Sequence, residues 1–188
     1  AARGGAAALT DLWDLDGWIR NARFLGNRAS EGGGVAFAGS FAGMVFANNT
    51  FVGNVTTDDG AAIHVDSGES NYLYVAANVF AWNDGDSGLW ARVGANPTLL
   101  YNLGYATSSG VDFDVPDATP NTDALVEDPR FVDFSDDGDF SDDDLGLATG
   151  SPARDSGPAE GAAPAFYAWP DLDGSVNDRG YTGGQGGW

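Results

Sequence analysis

Two sets of residues have the types and spacing to do chemistry. The first is Asp171, Asp173, Asn177 and Asp178, gathered around Gly174. Side-chain oxygens at alternate positions around a glycine turn suit Ca²⁺, which takes about six to eight oxygen ligands, so Ca²⁺ is the expected cofactor. The bidentate glutamate that closes an EF-hand loop is missing, and the alternative is a solvated turn whose carboxylates cap backbone amides. The acidic run Asp136, Asp137, Asp139, Asp142, Asp143 and Asp144 offers the same choice between Ca²⁺ and a solvated charge patch. The second set is His64, Trp90, Arg92, Asp112 and Asp114. On one face they would form an aromatic platform with a cation and carboxylates, a candidate ligand-binding surface. Its alternative is an Arg92–Asp114 surface pair, worth about 0–1 kcal/mol, beside an exposed histidine.

Both sets depend on the elements that carry them, and those are set by a repeat. Asn48-Asn49-Thr50-Phe51-Val52-Gly53-Asn54 has weaker copies at residues 21–27, 77–83 and 102–105, with aromatic anchors Phe24, Phe51, Phe80 and Tyr105 at intervals of 27, 29 and 25 residues. Such a period, with strand-like runs between turns, marks a solenoid in which each repeat is one coil. A glycine precedes each strand-like run: Gly5, Gly34, Gly60, Gly88 and Gly110. Alignment on these glycines, with side chains alternating faces, puts Val35/Phe37, Ala61/Ile63/Val65, Leu89/Ala91/Val93 and Val111/Phe113/Val115 on the inner face. His64, Arg92 and Asp114 then share the fourth position of successive coils on the outer face, with Trp90 and Asp112 at the second. Second strand runs at Trp18-Ile19, 44–46, 73–75 and 99–101 precede the anchors. Coils stacked about 4.8 Å apart pair each strand with its equivalent above and below, giving parallel sheets, internal aromatic stacks and asparagine ladders at the corners.

The expected fold is therefore all-β, a parallel β-helix of about five coils over residues 1–116. Residues 117–188 form a loop-rich C-terminal cap and tail of the same domain: a turn-rich stretch to Asn121, a short strand near 128–134, a linker at 161–169 and a glycine-rich end at Trp188. With 188 residues and 43% hydrophobic content the chain is long enough to bury one continuous core. It has no cysteine and no lysine, and 28 acidic residues against eight arginines give a net charge of −20. That field repels nucleic acid and anionic membranes and attracts divalent cations or basic partners. No run approaches the roughly 20 apolar residues that a membrane span needs. The aspartate-rich, cysteine-free, lysine-free surface fits an extracellular or high-salt setting, and the lack of an initiator methionine or signal-peptide pattern suggests a processed chain or a fragment of a longer one.

The Asn-x-x-Phe-x-x-Asn and Gly-plus-strand repeats resemble the right-handed parallel β-helix repeats of the pectate-lyase-like superfamily over residues 4–116, which implies the right hand for this solenoid. The segments Asp128-Pro129-Arg130-Phe131-Val132-Asp133, 150–157 and 171–181 resemble the C-terminal ends of secreted bacterial β-helix proteins of the choice-of-anchor or polymorphic outer-membrane type. The resemblance implies a surface or secreted protein and brings no catalytic motif with it. Enzymes of the pectate-lyase-like group bind sugars on the sheet face that here would carry Trp90 and Arg92. Asp58-Asp59, His64 and Asn121-Thr122-Asp123 resemble pieces of a polygalacturonase site in the wrong chain order and without its downstream Arg-x-Lys element. The sequons at Asn48 and Asn54 coincide with the asparagine ladder. The expected role is a structural or adhesive module, Ca²⁺-stabilised, whose open first coil stacks end to end into oligomers or filaments. The alternative is a polysaccharide-binding or lyase-like protein.

Overall fold

The computed structural model describes residues 2–12, 17–41, 43–66, 73–110, 112–115, 121–159, 171 and 173–184. Val111, Pro116, the 117–120 turn, the 161–169 linker and the residues leading to Trp188 lie outside them. Alternating apolar and small residues, broken every few positions by Gly or Asn, dictate short strands joined by sharp corners. The first coil holds β1 (Ala7–Leu12), β2 (Gly17–Arg20), β3 (Arg23–Leu25) and the two-residue β4 (Arg28–Ala29). The second repeats the pattern with β5 (Val35–Phe41), β6 (Met44–Ala47), β7 (Thr50–Val52) and β8 (Val55–Thr56). The third has β9 (Ile63–Asp66), β10 (Leu73–Ala76) and β11 (Val79–Ala81), and the fourth β12 (Leu89–Ala91), β13 (Thr98–Leu100) and β14 (Leu103–Tyr105). Two more strands, β15 (Phe113–Asp114) and β16 (Leu125–Val126), continue two of the faces, and β17 (Phe131–Asp133) pairs with β18 (Asp144–Leu147) as an antiparallel hairpin.

The strands assemble into three parallel sheets, β1-β5-β9-β12-β15, β2-β6-β10-β13 and β3-β7-β11-β14-β16, wound as a β-solenoid. Five strand layers are separated by about four turns, which is where the repeat spacing suggested about five coils. No helix occurs among the described residues, and none there is long and apolar enough to cross a membrane.

Inside the three sheets lies a core of Phe37, Phe46, Phe51, Ile63, Leu73, Phe80 and Leu89, each at most 1% exposed. Phe24, Phe51 and Phe80 stack nearly face to face, with ring centroids 4.5 and 5.0 Å apart. The fourth anchor differs from expectation: Phe80 pairs with Gly104 and Tyr105 with Ala81, so Tyr105 points outward. Gly104 leaves Phe80 without a stacked ring on that side: Asp112 packs against Gly104, and Phe113 from the first sheet meets Phe80 edge-on at 5.5 Å.

The first sheet corrects the glycine alignment. Val35 pairs with Ile63, Ile63 with Leu89 and Leu89 with Phe113, a shift of two residues in the third and fifth layers. The repeating left-handed turn is Gly4, Gly32 and Gly60, with φ of 65°, 61° and 70°. Gly34 belongs to a Gly32-Gly33-Gly34 run in which any member looks equivalent to Gly60. A shift of two preserves the inward and outward faces of those layers, whereas in the first layer Ala7 rather than Ala6 pairs with Val35, a shift of one that turns Leu9 inward; the apolar ladder survives while its outward neighbours change. Val93, expected inside, is 66% exposed beyond the end of β12.

The corners follow a rule that the repeat only hinted at. Between the second and third sheets the left-handed residue is Asn21, Asn48, Ala77 or Tyr101, and the ladder residue follows it. Asn49, Asn78 and Asn102 bond to neighbouring coils rather than to their own turn: Asn78 Nδ2 donates to Phe46 O (2.9 Å) and Asn102 Oδ1 (3.0 Å), and its Oδ1 accepts from Asn49 N–H (2.9 Å). A second ladder, Asn27, Asn54 and Asn83, runs along the corner after the third sheet. Asn48 and Asn54 are 2% and 0% exposed, which removes both sequons from solvent.

The C-terminal region lies along the flank of the coils. Leu145 and Ala153 bury the outer face of the third sheet, against Val52, Val79, Ala81 and Leu103. The tail crosses the Asn48 corner coil by coil: Arg179 reaches Asn102 O and Asp123 O, Gly180 N–H donates to Ala77 O, Tyr181 N–H to Thr50 Oγ1, and Asn21 Nδ2 donates to Tyr181 O. An apolar outer face on the third sheet is the physical reason for this course, since it must be covered somewhere.

Candidate functional site

On the outer face of the first sheet β9 carries His64 and Asp66, and β12 carries Trp90. Pairing places Ala36, His64, Trp90 and Asp114 in one row. The His64 and Trp90 rings stack, with centroids 4.5 Å apart and planes at 21°. His64 is thereby 4% exposed, its Nδ1 lies 3.2 Å from Asp59 O, and its Nε2 is 3.8 Å from Glu31 Oε2. Asp59 itself sits above the usual carboxylate range, through partial burial and then the neighbouring Asp58 charge.

The remaining members of the expected set are elsewhere. Arg92 lies past the end of β12 and ion-pairs Asp66 (3.3 Å), not Asp114. Asp112 turns away from the outer face and accepts from Thr107 Oγ1 at 2.5 Å, its carboxyl filling the space beside Gly104. Arg3 bridges Glu31 (2.6 Å) and Asp66 (3.1 Å), so Glu31, Arg3, Asp66 and Arg92 form a chain of alternating charge across the coils. Partly exposed pairs of this kind contribute about 0–1 kcal/mol each. Chemically, the face neutralises its own charges and shields its histidine, leaving the rim of Trp90 and Asp114 outward.

The tail carboxylates are engaged by backbone amides. Asp171 accepts from Asp178 N–H (3.1 Å) and Gly184 N–H (2.6 Å), Asp173 from Ser175 N–H (2.9 Å), and Asp178 from Asp155 N–H (2.7 Å). Asn177, fully buried, bonds Asn48 Nδ2 through its Oδ1 (2.8 Å). In the acidic run, Asp137, Asp139, Asp143 and Asp144 likewise accept from Asp139, Ser141, Ser135 and Gly146 N–H, folding the β17–β18 loop. Among the described residues no group of three or more His, Asp or Glu side chains is arranged to hold a metal ion.

Burial pushes Asp171 up to about 6; the Gly184 N–H opposes this and the Asp178 charge adds to it. Asp178 is raised as well, chiefly by burial. A carboxyl raised by folding stabilises the native state fully below its unfolded value and loses that contribution as pH rises through its folded value. Acidification from neutrality to about pH 5 is therefore expected to raise the melting temperature, with Asp171→Asn flattening the slope. Melting curves across that window check it; a wild-type stability that falls on acidification defeats it.

A third feature was not singled out from the sequence. A cavity of about 460 Å³ lies along the corner after the third sheet, between the coils and the β17–β18 loop. The left-handed residues of that corner are Gly26, Gly53, Trp82 and Ala106, with φ of 60°, 63°, 49° and 54°. The Phe140 ring lies over the first two; a Cβ at Gly53 would come within 2.5 Å of it. Trp82 rises at the third coil, held by Phe134 (4.2 Å) and Tyr105 (5.3 Å). The only sequence signal was a tryptophan where other coils have glycine or alanine. Comparison with protein-family models, curated proteins and solved structures finds no match to this chain.

Proposed function

We propose that this chain is a structural, adhesive module of a secreted or cell-surface protein, related in design to the right-handed pectate-lyase-like β-helices and working without catalysis. It presents a rigid acidic surface and joins a second copy head to tail through its first coil. The observation that carries this reading is the state of that coil. Among the described residues β1, β2 and β3 are each paired along one edge only. Their inward Leu9, Ile19 and Phe24 are half-buried, whereas Phe37, Phe46 and Phe51, their equivalents one coil on, are fully buried. Unpaired edges beside incompletely covered apolar residues template further strand pairing.

Charge favours the opposite end as the partner surface. Four of the eight arginines, Arg3, Arg20, Arg23 and Arg28, lie in the first coil, whereas the segments that carry β15 and β16 at the other end hold Asp112, Asp114, Asp123, Glu127 and Asp128 and no arginine. A heterologous contact of this kind does not close on itself and propagates as a filament. Light scattering and sedimentation are expected to show concentration-dependent assembly that weakens with salt. The double variant Arg20→Glu/Arg23→Glu, on exposed positions, should shift the protein toward monomer with its circular dichroism unchanged. A wild-type protein that stays monodisperse and monomeric at high concentration and low ionic strength overturns the reading.

A further inference from the structure

We infer that the cavity between the coil corner and the β17–β18 loop is a binding cleft for a neutral or amino sugar chain. Its floor is built by strand pairing: Arg28 pairs with Val55, and Val55 with Asp84, so these side chains form a row along the solenoid axis. Ser108 extends the lining into the fourth coil, its backbone N–H bonded to Asn83 O. Four coils at about 4.8 Å spacing make the floor about 14 Å long. The opposite wall is the hairpin loop, which contributes Asp136 and Phe140.

The chemistry of the lining selects the ligand. Trp82 and Phe140 supply two aromatic surfaces at successive coils, both fixed by packing rather than free to collapse into the space. The lining also holds one guanidinium and two carboxylates, Arg28, Asp84 and Asp136, and none of these side chains forms an ion pair or hydrogen bond among the described residues. Arg28 and Asp84 are two coils apart, too far to neutralise one another directly. Adjacent hydroxyls of a pyranose match this set: a carboxylate accepts from two of them, a guanidinium donates to two, and the C–H face of the ring lies against an aromatic. The size falls within the roughly 300–1,000 Å³ of ligand sites. A hydrophobic ligand would strand three ionised groups, and an anionic one would meet two carboxylates in a molecule of net charge −20. An uncharged or amino sugar meets neither penalty. This site is separate from the His64–Trp90 face and does not depend on head-to-tail assembly.

The test is titration calorimetry of the whole chain with cellotetraose, laminaritetraose, maltotetraose and chitosan tetrasaccharide, with trigalacturonate as the anionic counter-probe. At least one neutral or amino tetrasaccharide is expected to bind, and trigalacturonate to bind more weakly or not at all. Arg28→Ala and Asp84→Asn/Asp136→Asn should each weaken binding at least tenfold, about 1.4 kcal/mol. All three residues are exposed, so melting temperatures should hold. No binding by any of the four, preference for trigalacturonate, or affinity indifferent to these variants overturns the inference. Loss of binding on Trp90→Ala instead would move the site to the first sheet and also overturns it.

Discussion

Asn78→Ala lowers the free energy of unfolding by about 5 kcal/mol, summed from several orphaned groups at about 1–3 kcal/mol each. Asn78 is fully buried, and its amide is used completely. Its Oδ1 accepts from the N–H and Nδ2 of Asn49, and its Nδ2 donates to Phe46 O and Asn102 Oδ1. Alanine leaves the Asn49 N–H and Phe46 O unpaired at a corner that water does not reach, and interrupts the ladder on both sides. Asn78→Asp is no rescue, because it removes both donors and buries a charge. Asn27→Ala, at the half-buried end of the second ladder, is expected to cost only about 1 kcal/mol, since it removes a single donor to Asn54 Oδ1. Denaturant titrations with a shifted midpoint and unchanged slope would establish the contrast. Equal costs for Asn78 and Asn27 would mean that the ladder is ornamental and that the aromatic stack alone carries the coils.

Arg179→Ala releases the tail from the solenoid flank. The guanidinium is 3% exposed and donates to Ser156 O (2.8 and 3.1 Å), Ser156 Oγ (3.0 Å), Asn102 O (3.1 Å) and Asp123 O (2.8 Å). Burial lowers its pKa to about 10, so it remains a cation at neutral pH, neutralised by carbonyl dipoles with the Tyr101 ring 5.9 Å away. Removing it leaves three carbonyls without this donor, a loss of about 3 kcal/mol concentrated in the tail. Arg179→Lys should recover less than half of that, because one ammonium cannot reach acceptors that the planar fork meets in different directions. Hydrogen exchange reads the effect directly. The Gly180, Tyr181 and Gly184 amides, bonded to Ala77 O, Thr50 Oγ1 and Asp171, should lose protection while β6, β7 and β11 keep theirs. Unchanged protection in the tail would show that Arg179 is not its latch. Loss across all strands would show that tail and coils unfold as one unit.

The two ladders and the latch differ in how far they could be read from residues alone. The Asn-x-x-Phe-x-x-Asn repeat announces the corners, but not that the left-handed backbone belongs to the residue before each ladder asparagine, because Asn48, Ala77 and Tyr101 share no chemical type. The hairpin strand β18 was invisible at the end of an acidic run, whose aspartates turn out to cap amides of the β17–β18 loop and of β18 itself. The expected outer-face set was found in part. His64, Trp90 and Asp114 do align, while Arg92 and Asp112 are drawn off by Asp66 and Thr107, partners distant in sequence or hidden by the two-residue shift.

What the sequence by itself determined is the period: aromatic anchors, alternating strands and corner asparagines recur at coil length, and only stacked parallel coils satisfy all three at once. Those are local signals, repeated, so they survive without knowledge of neighbours. The tertiary structure alone decided the register within the Gly32-Gly33-Gly34 run, the replacement of the fourth anchor by Phe113, the path of the tail along the flank, and the cleft between Trp82 and Phe140. Each of these is a contact between segments far apart in the chain, chosen by packing an apolar sheet face and filling its gaps. Such choices follow from shape and volume in three dimensions, which no spacing of residue types encodes.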